Sequence, residues 1–135
     1  MDEATTREYI ARMCPHATVV DASGGTFFFT DPEQKFPFAT LSTNDEYDQS
    51  SDLGRPGAYR LNIGVGKEAF RSLFGVAGEA EYDFTAPDQL MPHPVYGKMY
   101  WVCVVNPGPA TAEAVRTLLA DAYAADLQRR RTSVE

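Results

Sequence analysis

A histidine held between two prolines, Pro92-His93-Pro94, is the sharpest chemical feature of this 135-residue chain. Prolines on both sides restrict the backbone, so less entropy is lost in placing the imidazole. An unperturbed pKa of about 6.5 suits such a ring to general acid or base work at neutral pH. The plainer alternative is a ring that hydrogen-bonds the backbone of its own loop. Arg60 and Asn62 alternate with apolar neighbours, and a planar guanidinium beside an amide can fix a carboxylate or a phosphate. A surface salt bridge from Arg60 to Asp45 or Glu46 would use the same side chain without any ligand. Tyr96, Lys98 and Tyr100 border the same stretch and complete the candidate ligand-binding set.

Other motifs carry less. His16 is the only other histidine, which excludes a multi-histidine metal site. Neither Asp83 nor Asp88 stands at a spacing that would complete a mixed one, so no metal and no cofactor is implied. Gly64-Val65-Gly66-Lys67 lacks the spacing of a phosphate-binding loop and reads as a tight turn. Cys14 ends a helix, where the dipole disfavours a thiolate, and Cys103 sits among valines and the single tryptophan. The acidic residues Asp45, Glu46, Asp48 and Asp52 do not follow an EF-hand pattern and read as a solvated loop. The Arg129–Arg131 run suits the negative end of the last helix.

A formal net charge of −7 repels a phosphate backbone at long range, which disfavours nucleic-acid binding. Two cysteines far apart fit reduced thiols better than a disulfide framework. The opening MDEATTRE is acidic and lacks the apolar core of a signal peptide. The longest apolar run, Met99 to Val105, is too short to span a bilayer. A soluble cytoplasmic protein with a single domain over residues 1–135, its tail from 129 frayed, is the expectation.

The elements that must position the candidates follow from patterning. A helix is predicted from about Thr6 to Cys14, with Thr5 and Glu8 at capping-box spacing and Pro15 as its stop. Val19 and Val20 read as a short extended piece. TFFFT (Thr26–Thr30) and Phe36–Thr43 read as a hairpin, with Pro32 in the reversal. Asn44–Gly57 is a loop longer than compact domains usually carry, hence functional or mobile. Ala58–Val65 is a strand with Tyr59, Leu61, Ile63 and Val65 on one side and Arg60 and Asn62 on the other. A helix with Phe70, Leu73 and Phe74 as its buried stripe follows, closed by a left-handed cap at Gly75. Glu81–Phe84 reads as a short strand, Pro87–Gly97 as a structured loop and Met99–Asn106 as a strand. The last helix is predicted over Ala112–Gln128, with Val115, Leu118, Leu119 and Ala122 on one face.

This pattern predicts an α+β, two-layer fold: a mainly antiparallel sheet with its helices on one face. The strand carrying Trp101 is apolar on both sides, so its uncovered side needs a second subunit, the long loop or a ligand. The expected site is therefore polar groups on the bare face of the sheet.

The segments GTFFFTDPEQKFPFATLST, RPGAYRLNIGV, EAFRSLFG, YDFTAPDQLMPHPVYG and WVCVVNP resemble an uncharacterised bacterial family, domain-of-unknown-function family 6194. That resemblance brings no activity. More distantly, the order of elements, with Trp101 in a late strand and Tyr123 in the final helix, resembles the MmcQ/YjbR-like proteins. Their pattern implies an α-β-β-β-α-β-β-α order and, by analogy alone, DNA binding, which the acidic composition opposes.

The sequence thus leads to a small cytoplasmic binding or interaction domain, a homodimer, with its site on the open sheet face. The alternative is an enzyme acting on a small anionic or aromatic substrate, with His93 as general acid or base and Arg60 as anchor.

Overall fold

The computed structural model describes residues 2–75 and 81–134, with the side chains of 130–134 outside that description. The elements run α1 (Glu3–Met13), β1 (Thr18–Ala22), β2 (Gly25–Phe29), β3 (Ala39–Ser42), β4 (Arg60–Gly64), α2 (Lys67–Phe74), β5 (Met91–Pro92), β6 (Trp101–Val105) and α3 (Ala112–Val134). The six strands form one antiparallel sheet in the order β1-β2-β3-β4-β6-β5. The α+β class is as the patterning predicts, but the order differs. Four strands precede α2, because Thr18–Ala22 pairs along its whole length with β2.

Local chemistry explains the other differences. Asp2, not Thr5, caps α1: its carboxylate accepts from the Thr5 N–H at 2.8 Å, so the helix starts earlier than the capping-box spacing implies. Glu81–Phe84 forms no strand, and the second edge strand is Met91–Pro92 inside the expected loop. A strand of two residues ending in proline blunts that edge of the sheet. Met99 lies in a 3-10 turn, Gly97–Met99, and Tyr100 adopts a left-handed conformation, so β6 begins only at Trp101. In α2, Leu73 is exposed rather than buried, whereas Phe70 and Phe74 meet Tyr100 and Tyr82 edge-on. Gly75 has the expected positive φ of 78°, but its ψ of −169° is extended rather than left-handed helical. The last helix continues past Gln128 to Val134.

The side chains of β4 divide as their alternation demands. Leu61 and Ile63 join Ala39 and Leu41 of β3, Phe28 of β2, and Val102 and Val104 of β6 in one buried cluster. Ile10 of α1 and Val115, Leu118, Leu119 and Ala122 of α3 close that cluster, with Phe70 and Phe74 of α2 against its margin. Asp88 ties α3 to the sheet. Its carboxylate accepts from the N–H groups of Gly108, Ala110 and Thr111 and from the Thr111 hydroxyl, while its own N–H donates to Val105. Arg60, Asn62 and Gly64 face away from the cluster, opposite Val105, Cys103 and Trp101 of β6 and, for the first two, Ser42 and Thr40 of β3.

Candidate functional site

The face that Arg60 and Asn62 share is built from the guanidinium outward. Arg60 is 1 % exposed, a costly place for a charge unless it is paired and hydrogen-bonded. Its Nη1 and Nη2 donate to Asp48 Oδ1 and Oδ2 at 3.0 and 2.7 Å. Nη1 also donates to Ser51 Oγ at 3.1 Å, and Nε to Asn62 Oδ1 at 2.8 Å. Four of the five guanidinium protons thus meet oxygen acceptors of the protein. The fifth, on Nη2, faces His93 Nε2 at 3.3 Å. The partner of Arg60 is therefore Asp48. Asp45 instead accepts from the Leu53 N–H, and Glu46 from the Ser23 hydroxyl. The hydrogen bonds from Arg60 hold the Asp48 carboxyl below its usual pKa, against the opposing effect of burial.

His93 is fixed by its own loop, as the prolines on either side imply. Its Nδ1 lies 3.0 Å from the backbone N–H groups of both Val95 and Tyr96 and accepts from them. The ring is buried, and burial, reinforced by the neighbouring Arg60 charge, pushes its pKa down to about 3. Neutral imidazole has one N–H. Two backbone bonds at 3.0 Å outweigh one contact at 3.3 Å, so the ring proton resides on Nε2. Two donors, His93 Nε2–H and Arg60 Nη2–H, then stand side by side.

Asn62 passes the network on to the neighbouring strand. Its Nδ2 donates to Thr40 Oγ1 and Ser42 Oγ, each at 3.0 Å. Around this polar floor runs a groove of about 940 Å³. Phe27, Phe29, Tyr47, Tyr96 and Trp101 line it. The Phe27 and Phe29 rings stack 6.3 Å apart, and Tyr47 meets Phe27 edge-on at 5.9 Å. Of the seven large hydrophobic side chains that are exposed among the described residues, Phe36, Tyr47, Val95, Tyr96 and Met99 all border this groove. Single exposed hydrophobes need no explanation, but here five lie around one groove.

The groove gathers Arg60, Asn62, His93 and Tyr96 from the candidate set. Lys98 and Tyr100 are not in its lining; Lys98 is exposed in the 3-10 turn and Tyr100 turns toward Phe70. Asp48, Ser51, Thr40, Ser42, Tyr47 and Trp101 were not among the candidates. Thr40 and Ser42 were readable, because they alternate with Ala39 and Leu41 in the strand that pairs with β4. Asp48 and Ser51 lie in the long loop, where no periodicity says which residues turn inward. The two thiols are buried, and burial pushes Cys14 up to about 11 and Cys103 up to about 12. Among the described residues no group of three histidine, cysteine or carboxylate side chains could hold a metal, and no helix is long and apolar enough to cross a membrane.

A family model described as a family of unknown function, DUF6194, matches residues 1–135. No curated protein and no solved structure matches the chain, and the MmcQ/YjbR-like resemblance gains no support from either comparison.

Proposed function

The chain belongs to that family of unknown function, and from the geometry of the groove we propose that it is a small binding domain that takes an organic molecule on the open face of its sheet. The single observation that carries this reading is the groove itself: a fixed polar floor inside an exposed aromatic and aliphatic rim. Ligand sites combine those two features, with apolar walls supplying affinity and a few placed polar groups supplying orientation. Two buried free thiols and the net charge of −7 support a place in the reducing cytoplasm.

The reading as an enzyme asks His93 to exchange a proton. A ring that stays neutral down to about pH 3, with Nδ1 already accepting two backbone bonds, is a weak base and supplies no imidazolium at neutral pH. That favours binding over acid–base catalysis. The exposed rim also supports a second reading, a homodimer in which Phe36, Tyr96 and Met99 meet a second copy of the chain. Nucleic acid remains disfavoured by charge.

The chain has one tryptophan, Trp101, and it lines the groove, so its emission reports occupancy directly. Titration with 8-anilinonaphthalene-1-sulfonate is expected to quench Trp101 in the folded protein, and Tyr96→Ala to weaken that binding at least fivefold. A folded protein that ignores the dye, or a variant that binds it equally well, would remove the proposal. Sedimentation at high micromolar concentration decides the second reading: a monomer ends it.

A further inference from the structure

The hydrogen-bond sense of the groove floor is fixed by Arg60, and from it we infer that the ligand is a planar aromatic molecule bearing a carbonyl or carboxylate oxygen. The inference rests on the groove being a ligand site and names what that site selects. A guanidinium has donors only and does not lose its charge in a protein. Its Nε proton goes to Asn62 Oδ1 at 2.8 Å. Turning the Asn62 amide over would set Nδ2 against Nε, donor against donor, so the amide has one orientation. Nδ2 must then give its protons to Thr40 Oγ1 and Ser42 Oγ. Each hydroxyl accepts there and keeps one proton of its own, for which no acceptor occurs among the described residues.

Three more donors in the lining have the same sense. His93 Nε2 and Arg60 Nη2 stand side by side at 3.3 Å, and with both as donors neither can accept from the other. Both residues are over nine-tenths buried, so the His93 Nε2 proton and the one Arg60 Nη2 proton not given to Asp48 lack an acceptor within the groove wall. The indole N–H of Trp101 has no hydrogen-bond partner among the described residues. On the acceptor side, the carboxylates of the lining are engaged: Asp48 by Arg60, and Asp126 by the Thr30 hydroxyl and Arg129. The floor therefore offers protons and asks for oxygen.

The walls set the rest of the ligand. Phe27, Phe29, Tyr47, Tyr96 and Trp101 present ring faces and edges, which favour a flat aromatic body. A molecule whose polar atoms are donors would leave the floor protons unpaired, and unpaired buried polar groups discriminate strongly between near-identical ligands.

The test compares three probes of one shape, 2-naphthoate, 2-naphthamide and 2-methylnaphthalene, by chemical-shift titration of the full chain. At least one oxygen-bearing probe is expected to bind tenfold or more tightly than the hydrocarbon. Which of the two is tighter tells a carboxylate ligand from a neutral carbonyl one. In the Thr40→Val/Ser42→Ala variant, and separately in the near-isosteric Thr40→Val, the preference is expected to shrink, to less than threefold in the double variant. Equal binding of all three probes to the unaltered protein overturns this inference and leaves the groove as a ligand site. A preference that survives intact in both folded variants overturns it too. No binding by any probe at the groove residues overturns both.

Discussion

Arg60 grips both carboxylate oxygens of Asp48, Nη1 on Oδ1 at 3.0 Å and Nη2 on Oδ2 at 2.7 Å, although one residue sits in a central strand and the other in a long loop. The Ser51 hydroxyl adds a second tie from the same loop. These contacts hold Tyr47, the neighbour of Asp48, beside Phe27 at the rim of the groove. A stretch with hardly any regular structure is thereby ordered by one buried cation.

Removing that cation should be expensive. Arg60→Met leaves the Asp48 carboxylate facing an apolar stem and takes the donor from Asn62 Oδ1. Breaking a buried pair on one side costs about 3–5 kcal/mol, read as a lowered urea midpoint at constant slope. Arg60→Met/Asp48→Leu is expected to recover part of that loss, since removing both charges leaves no orphan. An Arg60→Met variant as stable as the parent would mean that the pair does not organise the loop.

Stability should fall on mild acidification, and His93 gives the direction. The unfolded ring takes up its proton near its ordinary value of 6.5, whereas the folded one does so only at about 3. Between these values the unfolded state holds more protons, so stability drops as pH falls, by up to about 1.4 kcal/mol per pH unit from this group. Asp48, whose carboxyl is held below its ordinary 3.8, adds a further loss at lower pH, as its folded-state pKa is approached. His93→Gln should flatten the dependence between roughly pH 6 and pH 4.5. Parallel curves for parent and variant, from urea unfolding at each pH, would show that the ring charges freely in the folded protein.

Asp88→Ala should loosen the start of α3. The substitution strands the Gly108 and Ala110 N–H groups and the Thr111 hydroxyl, and leaves the Thr111 N–H only its 3.2 Å bond to the Gly108 carbonyl. Loss of a helix-start acceptor of this kind costs about 1–2 kcal/mol, visible as a lower melting temperature. Amide exchange should quicken first around residues 108–111. Unchanged protection there would assign the turn to other contacts.

Both thiols should be silent. Cys14 and Cys103 are buried and free, with their pKa values pushed up to about 11 and about 12. Ellman's reagent is expected to leave the native protein unmodified and to titrate both cysteines once the chain is unfolded. Rapid reaction of either in native buffer would contradict the packing around it.

Much of this arrangement is legible in the sequence, for physical reasons specific to each segment. Alternation in β4 separates Leu61 and Ile63 from Arg60 and Asn62 because the side-chain period of a strand is fixed. The prolines around His93 announce a rigid turn. What stayed hidden depended on contacts distant in sequence. Asp48 reaches Arg60 from a loop without periodicity, and nothing local distinguishes it from Asp45 or Asp52. The short β5 strand has no sequence signature because two residues carry no pattern; only pairing with Cys103 and Val102 makes Met91–Pro92 a strand. The sequence reads Tyr100 as part of a strand from Met99, whereas its left-handed backbone precedes β6 and its ring meets Phe70.

Gly64 stands opposite Trp101 in the sheet, and a methyl group there would come within 2.9 Å of the indole ring. The missing side chain lets the largest ring in the protein lie down over β4 instead of standing upright. Position 64 is therefore a depth gauge: related chains with alanine or serine there should have a tilted tryptophan and a shallower trough, suited to smaller guests.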